Sequence, residues 1–167
     1  MRPRLALVLI VTTGCASKTD GGGNGDSTSP TPVACTEIGC QDGVLVQVTP
    51  TSGWPAGQYT YAVQLDDQTI TCTGTLPLPA CGNPGMTCDA EGVQITESGC
   101  ALAPEEHAFG DVTGPTQPTS ISVTIAHDGT DVASGTWTPE YETLQPNGPE
   151  CEPTCTFASV ELTASLP

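Results

Sequence analysis

The sequence predicts an all-β protein, an antiparallel β-sandwich stapled by disulfides. Three observations predict it. Apolar residues recur at every second position along several short runs, the spacing of a half-buried strand. The gaps between those runs are dense in Gly and Pro, which punctuate short strands into hairpins. Cysteine is abundant, at nine residues in 167, as in exported domains that rely on cross-links.

Val44, Val46 and Val48 alternate in the first run, and Tyr59, Tyr61, Val63 and Leu65 in the second. Asp66-Asp67-Gln68 then turns the chain toward Ile70 and Cys72. Val93 and Ile95 mark a further strand, followed by Ile121, Val123 and Ile125. That strand runs into His127-Asp128-Gly129-Thr130 and on toward Val132, where Asp-Gly is the signature of a two-residue hairpin. Ala158, Val160 and Leu162 make the last run. No long amphipathic helix is legible; the best stretch is the short Ala101–Phe109. The sandwich expected is immunoglobulin- or fibronectin-like, although neither Trp54 nor Trp137 has the spacing of the immunoglobulin core tryptophan.

The first residues have a different character. Arg2 and Arg4 precede the apolar run Leu5–Val11, a charged and then a hydrophobic region as in a secretory signal. Seven residues fall far short of the roughly 20 that cross a bilayer as a helix. Thr12-Thr13-Gly14-Cys15 resembles the lipobox of bacterial lipoproteins, with Thr12 where that family usually carries Leu. The resemblance implies that residues 1–14 are a cleaved signal peptide and that Cys15 becomes the acylated first residue. It also implies a membrane partner through the acyl chains and a place in the bacterial cell envelope. Ala16 resembles the residue that permits sorting to the outer membrane. Residues 15–32 read as the lipidated N-terminus and a Gly/Ser/Thr/Pro linker with a reach of roughly 20–25 Å. Residues 33–167 are then a single cysteine-rich β domain.

Removing Cys15 from nine cysteines leaves eight: Cys35, Cys40, Cys72, Cys81, Cys88, Cys100, Cys151 and Cys155. An oxidising compartment favours four disulfides among them. Spacing suggests local pairs Cys35–Cys40 and Cys151–Cys155. Zinc needs two close cysteine pairs, and only the Cys151/Cys155 pair has that spacing.

Charge excludes more than motifs do. The chain has three cations, Arg2, Arg4 and Lys18, against nineteen acids. Cleavage before Cys15 leaves one cation, so the mature net charge is 1 − 19 = −18 with histidines neutral. Nucleic-acid binding requires cations to neutralise phosphates, and docking on anionic lipid requires them too. Most acids are expected on the solvated surface. No Gly-x-Ser-x-Gly elbow is present. His107 and His127 are the only histidines, and Glu105-Glu106, Asp66-Asp67 and Glu140/Glu142 the acid pairs closest to a glycosidase dyad. None meets a catalytic pattern, so no enzyme and no cofactor are expected. Asp128, Thr130 and Asp131 form a Gly-containing acidic turn that supplies hard oxygen ligands suited to calcium, without the register of an EF-hand loop. The expectation is a non-enzymatic binding or surface-coat module with a protein or glycan ligand. Of Trp54, Tyr59, Tyr61, Trp137 and Tyr141, the two strand tyrosines are expected in the core and Trp137 and Tyr141 at the surface, where a glycan would stack.

Overall fold

The computed structural model describes residues 35–167; the signal, Cys15 and the linker lie outside them. Ten strands follow one another: β1 (Gly43–Pro50), β2 (Gly57–Leu65), β3 (Gln68–Leu76), β4 (Met86–Cys88), β5 (Gln94–Ser98), β6 (Ala108–Gly114), β7 (Ile121–His127), β8 (Thr130–Trp137), β9 (Glu142–Leu144) and β10 (Cys155–Ala164). They form two five-stranded sheets, ordered β5-β6-β1-β10-β9 and β4-β3-β2-β7-β8. Each alternating run becomes a strand with its apolar set inward. Val44, Val46, Phe109 and Val112 of the first sheet share one buried cluster with Tyr59, Tyr61, Val63, Ile70, Val123 and Ile125 of the second. Tyr59 and Tyr61 both meet the Phe109 ring edge-on, with centroids 5.5 and 6.5 Å away, the geometry aromatic quadrupoles favour.

The hairpin expected at Asp128-Gly129 is present. His127 pairs with Thr130, and both central residues take positive φ, 48° and 77°, as a type I′ turn requires.

Three expectations are corrected. The sheets are not wholly antiparallel: β1 and β10 run parallel, from Gly43 opposite Phe157 to Pro50 opposite Ala164. The stretch Ala101–Phe109 is not a helix. It makes one 3-10 turn, Pro104–Glu106, and then enters β6, because His107 is drawn into the core and Phe109 into the sheet.

The third correction concerns the cysteines. The bonds are Cys35–Cys151, Cys40–Cys155, Cys72–Cys88 and Cys81–Cys100, not Cys35–Cys40 and Cys151–Cys155. The parallel register is the reason. It sets the segment before β1 level with the segment before β10, so each cysteine meets one from the other segment before it meets its own neighbour. Asn147 completes this strap: its Oδ1 accepts from the Ile38 N–H at 3.0 Å and its Nδ2 donates to the carbonyls of Ile38 and Glu152 at 2.9 and 2.7 Å. Cys72 and Cys88 face each other directly across β3 and β4.

The two sheets are laced together at both sides. In β8 one extra residue, Val132, is bulged between Ala133 and Asp131, and its carbonyl accepts the Ser165 N–H at 2.8 Å. At the opposite side the Glu97 carboxylate of β5 takes the N–H groups of Gly85 and Met86, the latter at 2.7 Å. A second bulge lies in β6 at Gly110-Asp111; bulges re-aim side chains, and here Asp111 Oδ1 reaches the Val48 N–H at 2.9 Å.

The acids are mostly exposed, as expected, and several of them also serve the fold. Asp42, Asp66, Asp89, Glu97, Asp111 and Asp128 each accept a backbone N–H at 2.7–2.9 Å. With no Lys or Arg after Lys18, the backbone supplies the positive end of the dipole that a cation would otherwise provide. Such charge-assisted bonds are the stronger kind.

Candidate functional site

Two concavities lie at opposite ends of the sheets. The larger, about 840 Å³, opens where β1, β5 and β10 begin and β6 ends. Val44, Val93 and Phe157 give it apolar lining, Gln94 and Thr113 neutral polar groups, and Asp42 and Glu91 carboxylates. Its volume falls in the range of small-molecule pockets, roughly 300–1,000 Å³.

Glycines shape it. Gly43 sits at φ 130°, and a Cβ there would collide with the Gly114 carbonyl, so β1 and β6 approach as only glycine allows. Gly92, at φ 108°, turns the chain into β5 and sets Glu91 and Val93 to either side of itself in sequence. Asp42 is fixed by Oδ1 accepting the Thr156 N–H at 2.7 Å. Glu91 is exposed. Val44 and Val93 are both buried, at 1% and 7% exposure.

The smaller concavity, about 430 Å³, is lined by Gln58, Thr73, Thr75, Pro77, Pro79 and Pro84, among others, and carries no charged side chain. It continues the outer face of β2 and β3, where Thr60 pairs with Thr73 and Gln58 with Thr75.

Neither histidine lines these concavities. His107 is 7% exposed. Its Nδ1 accepts the Leu78 N–H at 2.9 Å and its Nε2 faces the Leu102 carbonyl at 3.3 Å. The two contacts fix the neutral tautomer with the proton on Nε2. The ring is therefore a bracket between two loops. His127 stacks on Tyr59 at 4.7 Å and presents Nε2 to the Ala56 carbonyl at 3.2 Å, with Asp128 Oδ2 at 3.5 Å. It fastens the loop before β2. Burial, with the Asp128 carboxylate second, pushes the Tyr59 phenol up to about 12.

The calcium candidates do not converge. Asp128 spends Oδ1 on the Gln58 N–H at 2.8 Å, while Thr130 and Asp131 are exposed at the start of β8. Among the described residues no group of three His, Cys, Asp or Glu is placed to hold a metal ion. The acidic turn is accounted for as a hairpin.

The aromatic row expected for glycan stacking is not formed either. Tyr59 and Tyr61 are core residues, as expected. Trp137 and Tyr141, expected at the surface, are half-buried and packed against the core, as is Trp54. The Trp137 indole lies over Gly135 on its own strand, and the Tyr141 hydroxyl donates to the Pro118 carbonyl at 2.9 Å. The sequence marks Val44 and Val93 only as strand residues and Cys40 only as a disulfide cysteine, and does not mark the groove they line; the signal for it is the set of glycines, Gly43, Gly92 and Gly114, at the strand ends.

Comparison with protein-family models, with curated proteins and with solved structures finds no match.

Proposed function

We propose that the chain is a lipid-anchored protein of the bacterial cell envelope whose acidic domain is a non-enzymatic binding or surface-coat module. In this reading Cys15 carries the acyl chains, residues 1–14 are removed, and the outer membrane is the destination. In this reading the two-sheet, all-β domain is an immunoglobulin- or fibronectin-like sandwich, a reading that its two five-stranded layers support. One disulfide, Cys81–Cys100, ties a loop of one sheet to a loop of the other, and none of the four joins facing strands of the two sheets as in antibody domains.

The observation that carries the binding reading is the groove at the start of β1 and β10. It is concave, part apolar and part acidic, and neither histidine of the chain lines it. A recognition surface fits such a lining better than a hydrolytic centre, which needs a nucleophile and a base within reach of each other. A glycan is the second reading, favoured by the uncharged basin of Gln58, Thr73 and Thr75, whose amide and hydroxyls suit neutral hydroxylated ligands.

The anchor is tested by Cys15→Ser. Each buried methylene contributes about 0.8 kcal/mol to membrane affinity, so losing two or three chains should abolish both acyl labelling and detergent-phase partitioning. Unchanged partitioning of the variant would overturn the lipoprotein reading.

A further inference from the structure

We infer that the groove between the beginnings of β1, β5 and β10 is a binding site for an amphipathic cation, an ammonium or guanidinium group on an apolar stem. The inference rests on reading the domain as a binding module and names the chemistry that module selects.

The lining divides into two parts that match the two parts of such a ligand. Phe157, half-buried, and Pro115, exposed, offer apolar surface for the stem over a floor of buried Val44 and Val93. Asp42 and Glu91 offer carboxylates for the head. Asp42 is held in place by one oxygen, Oδ1, on the Thr156 N–H, so it is oriented before any ligand arrives. An aromatic ring in the lining adds a cation–π contact. Gln94 and Thr113 supply further polar groups.

The electrostatics single out the sign of the ligand. No Lys or Arg follows Lys18 in the sequence. His107 is held between Leu78 and Leu102, and His127 at Ala56. The two groove carboxylates therefore have no cationic partner among the described residues, and complementary charge has to be brought by the occupant. A cleft lined by one sign of charge also concentrates the opposite ion at its mouth. Anions and nucleic acid are repelled by the same field. An acid on the open surface attracts cations too, but the groove combines that attraction with apolar surface for the stem.

The ammonium can be presented in two ways, by a small organic amine or by a Lys- or Arg-bearing segment of another protein, and one experiment separates them. The full acylated chain, in neutral detergent micelles, is titrated with 4-phenylbutylamine, with 4-phenylbutanol of the same shape, and with a short peptide alternating Lys and Leu. Amide NMR shifts report where each binds. The amine is expected to saturate and to move the amides of Val44, Val93, Thr113 and Phe157, with the alcohol about three- to fivefold weaker, as loss of an exposed ion pair implies. Tighter binding of the peptide identifies a partner segment; binding of the amine alone identifies a free amine.

Asp42→Asn with Glu91→Gln should weaken the amine about three- to fivefold; Asn keeps the acceptor for Thr156, so the fold is preserved. Asp131→Asn with Glu161→Gln removes the same charge from exposed positions outside the groove and should change affinity by less than about twofold. Equal weakening by both pairs, equal affinity for amine and alcohol, or shifts outside the groove would overturn the inference. Those failures leave the anchored-module reading standing, because the Cys15→Ser test is independent of them. Conversely, groove-localised binding in which the amine is recovered chemically altered would keep the site and overturn the non-enzymatic reading.

Discussion

Removing the two straps before β1 and β10, singly and together, should give strongly non-additive losses. Cys35–Cys151 and Cys40–Cys155 span 116 and 115 residues. On the chain-entropy argument the first bond to close a loop of that length restricts the unfolded chain by about 4.8 kcal/mol. Once it is closed, the second bond completes only a small ring, five residues from Cys35 to Cys40 and four from Cys151 to Cys155. That ring is worth about 2.6 kcal/mol. Either single-pair variant, Cys35→Ala/Cys151→Ala or Cys40→Ala/Cys155→Ala, leaves the long loop closed by the other bond and should lose only about 2.6 kcal/mol. The quadruple variant should lose about 7.4 kcal/mol, some 2 kcal/mol beyond the sum of the two single-pair losses. Guanidinium chloride unfolding without reductant reads all four proteins, and non-reducing peptide mapping confirms which bonds remain. Losses that simply add, or a single-pair variant that already loses the full 5 kcal/mol or so, would refute the argument that the two bonds share one loop.

Three further outcomes follow from the hydrogen bonds and buried rings. The Asp66 carboxyl is held below its ordinary value by the Thr119 hydroxyl and then by the Ser120 and Thr119 N–H groups; its contribution is therefore present above about pH 4 and lost as pH falls through the lowered value. The melting temperature should accordingly fall below about pH 4; Asp66→Asn, which keeps an acceptor without the charge, should flatten the acid limb, and an unchanged limb would count against the bond. All three tyrosines are raised, Tyr59 and Tyr61 by burial first and Tyr141 by burial and then Asp66. Their contribution is present below about pH 10 and lost as pH climbs toward 12, so phenolate absorbance should appear together with unfolding; a tyrosine titrating near pH 10 in the folded protein would contradict their placement. His107→Ala strands the Leu78 N–H and should destabilise by about 1–3 kcal/mol in denaturant unfolding; a change under about 0.5 kcal/mol would show the ring to be dispensable.

Much of the sheet was legible because burial on one face leaves a period-two trace. Val44–Val48, Tyr59–Leu65 and Ile121–Ile125 carry it cleanly, and Asp128-Gly129 announces its turn. β6 escaped notice because its bulge places Phe109 and Val112 three residues apart instead of two, and Gly110 and Gly114 leave no side chain to read. β9 buries no residue at all, so it leaves no pattern. The disulfide pairing depended on the parallel β1–β10 register, a contact between the ends of the chain that local spacing does not encode. His107 follows two acids within the stretch Ala101–Phe109 read as the best helical one, and its contact with Leu78, 29 residues away, explains its burial. The groove is assembled from four strand ends and several glycines, and no one stretch of sequence contains it.

The double strap has a mechanical consequence. Any pull delivered through the chain preceding Cys35 meets a covalent branch at its first described residue, and the load divides between the main chain and the sulfur bridge to Cys151. Five residues on, at Cys40, it can divide again into the first residue of β10. β1 and β10 are thereby loaded as a pair, along a shared parallel ladder of eight residue pairs, and β1 cannot be unzipped from its neighbour one rung at a time. The groove is lined from the same junction, by Cys40, Asp42 and Phe157. A load borne there would pass to the preceding chain across sulfur bridges and a few residues, leaving the second sheet outside the path of the force.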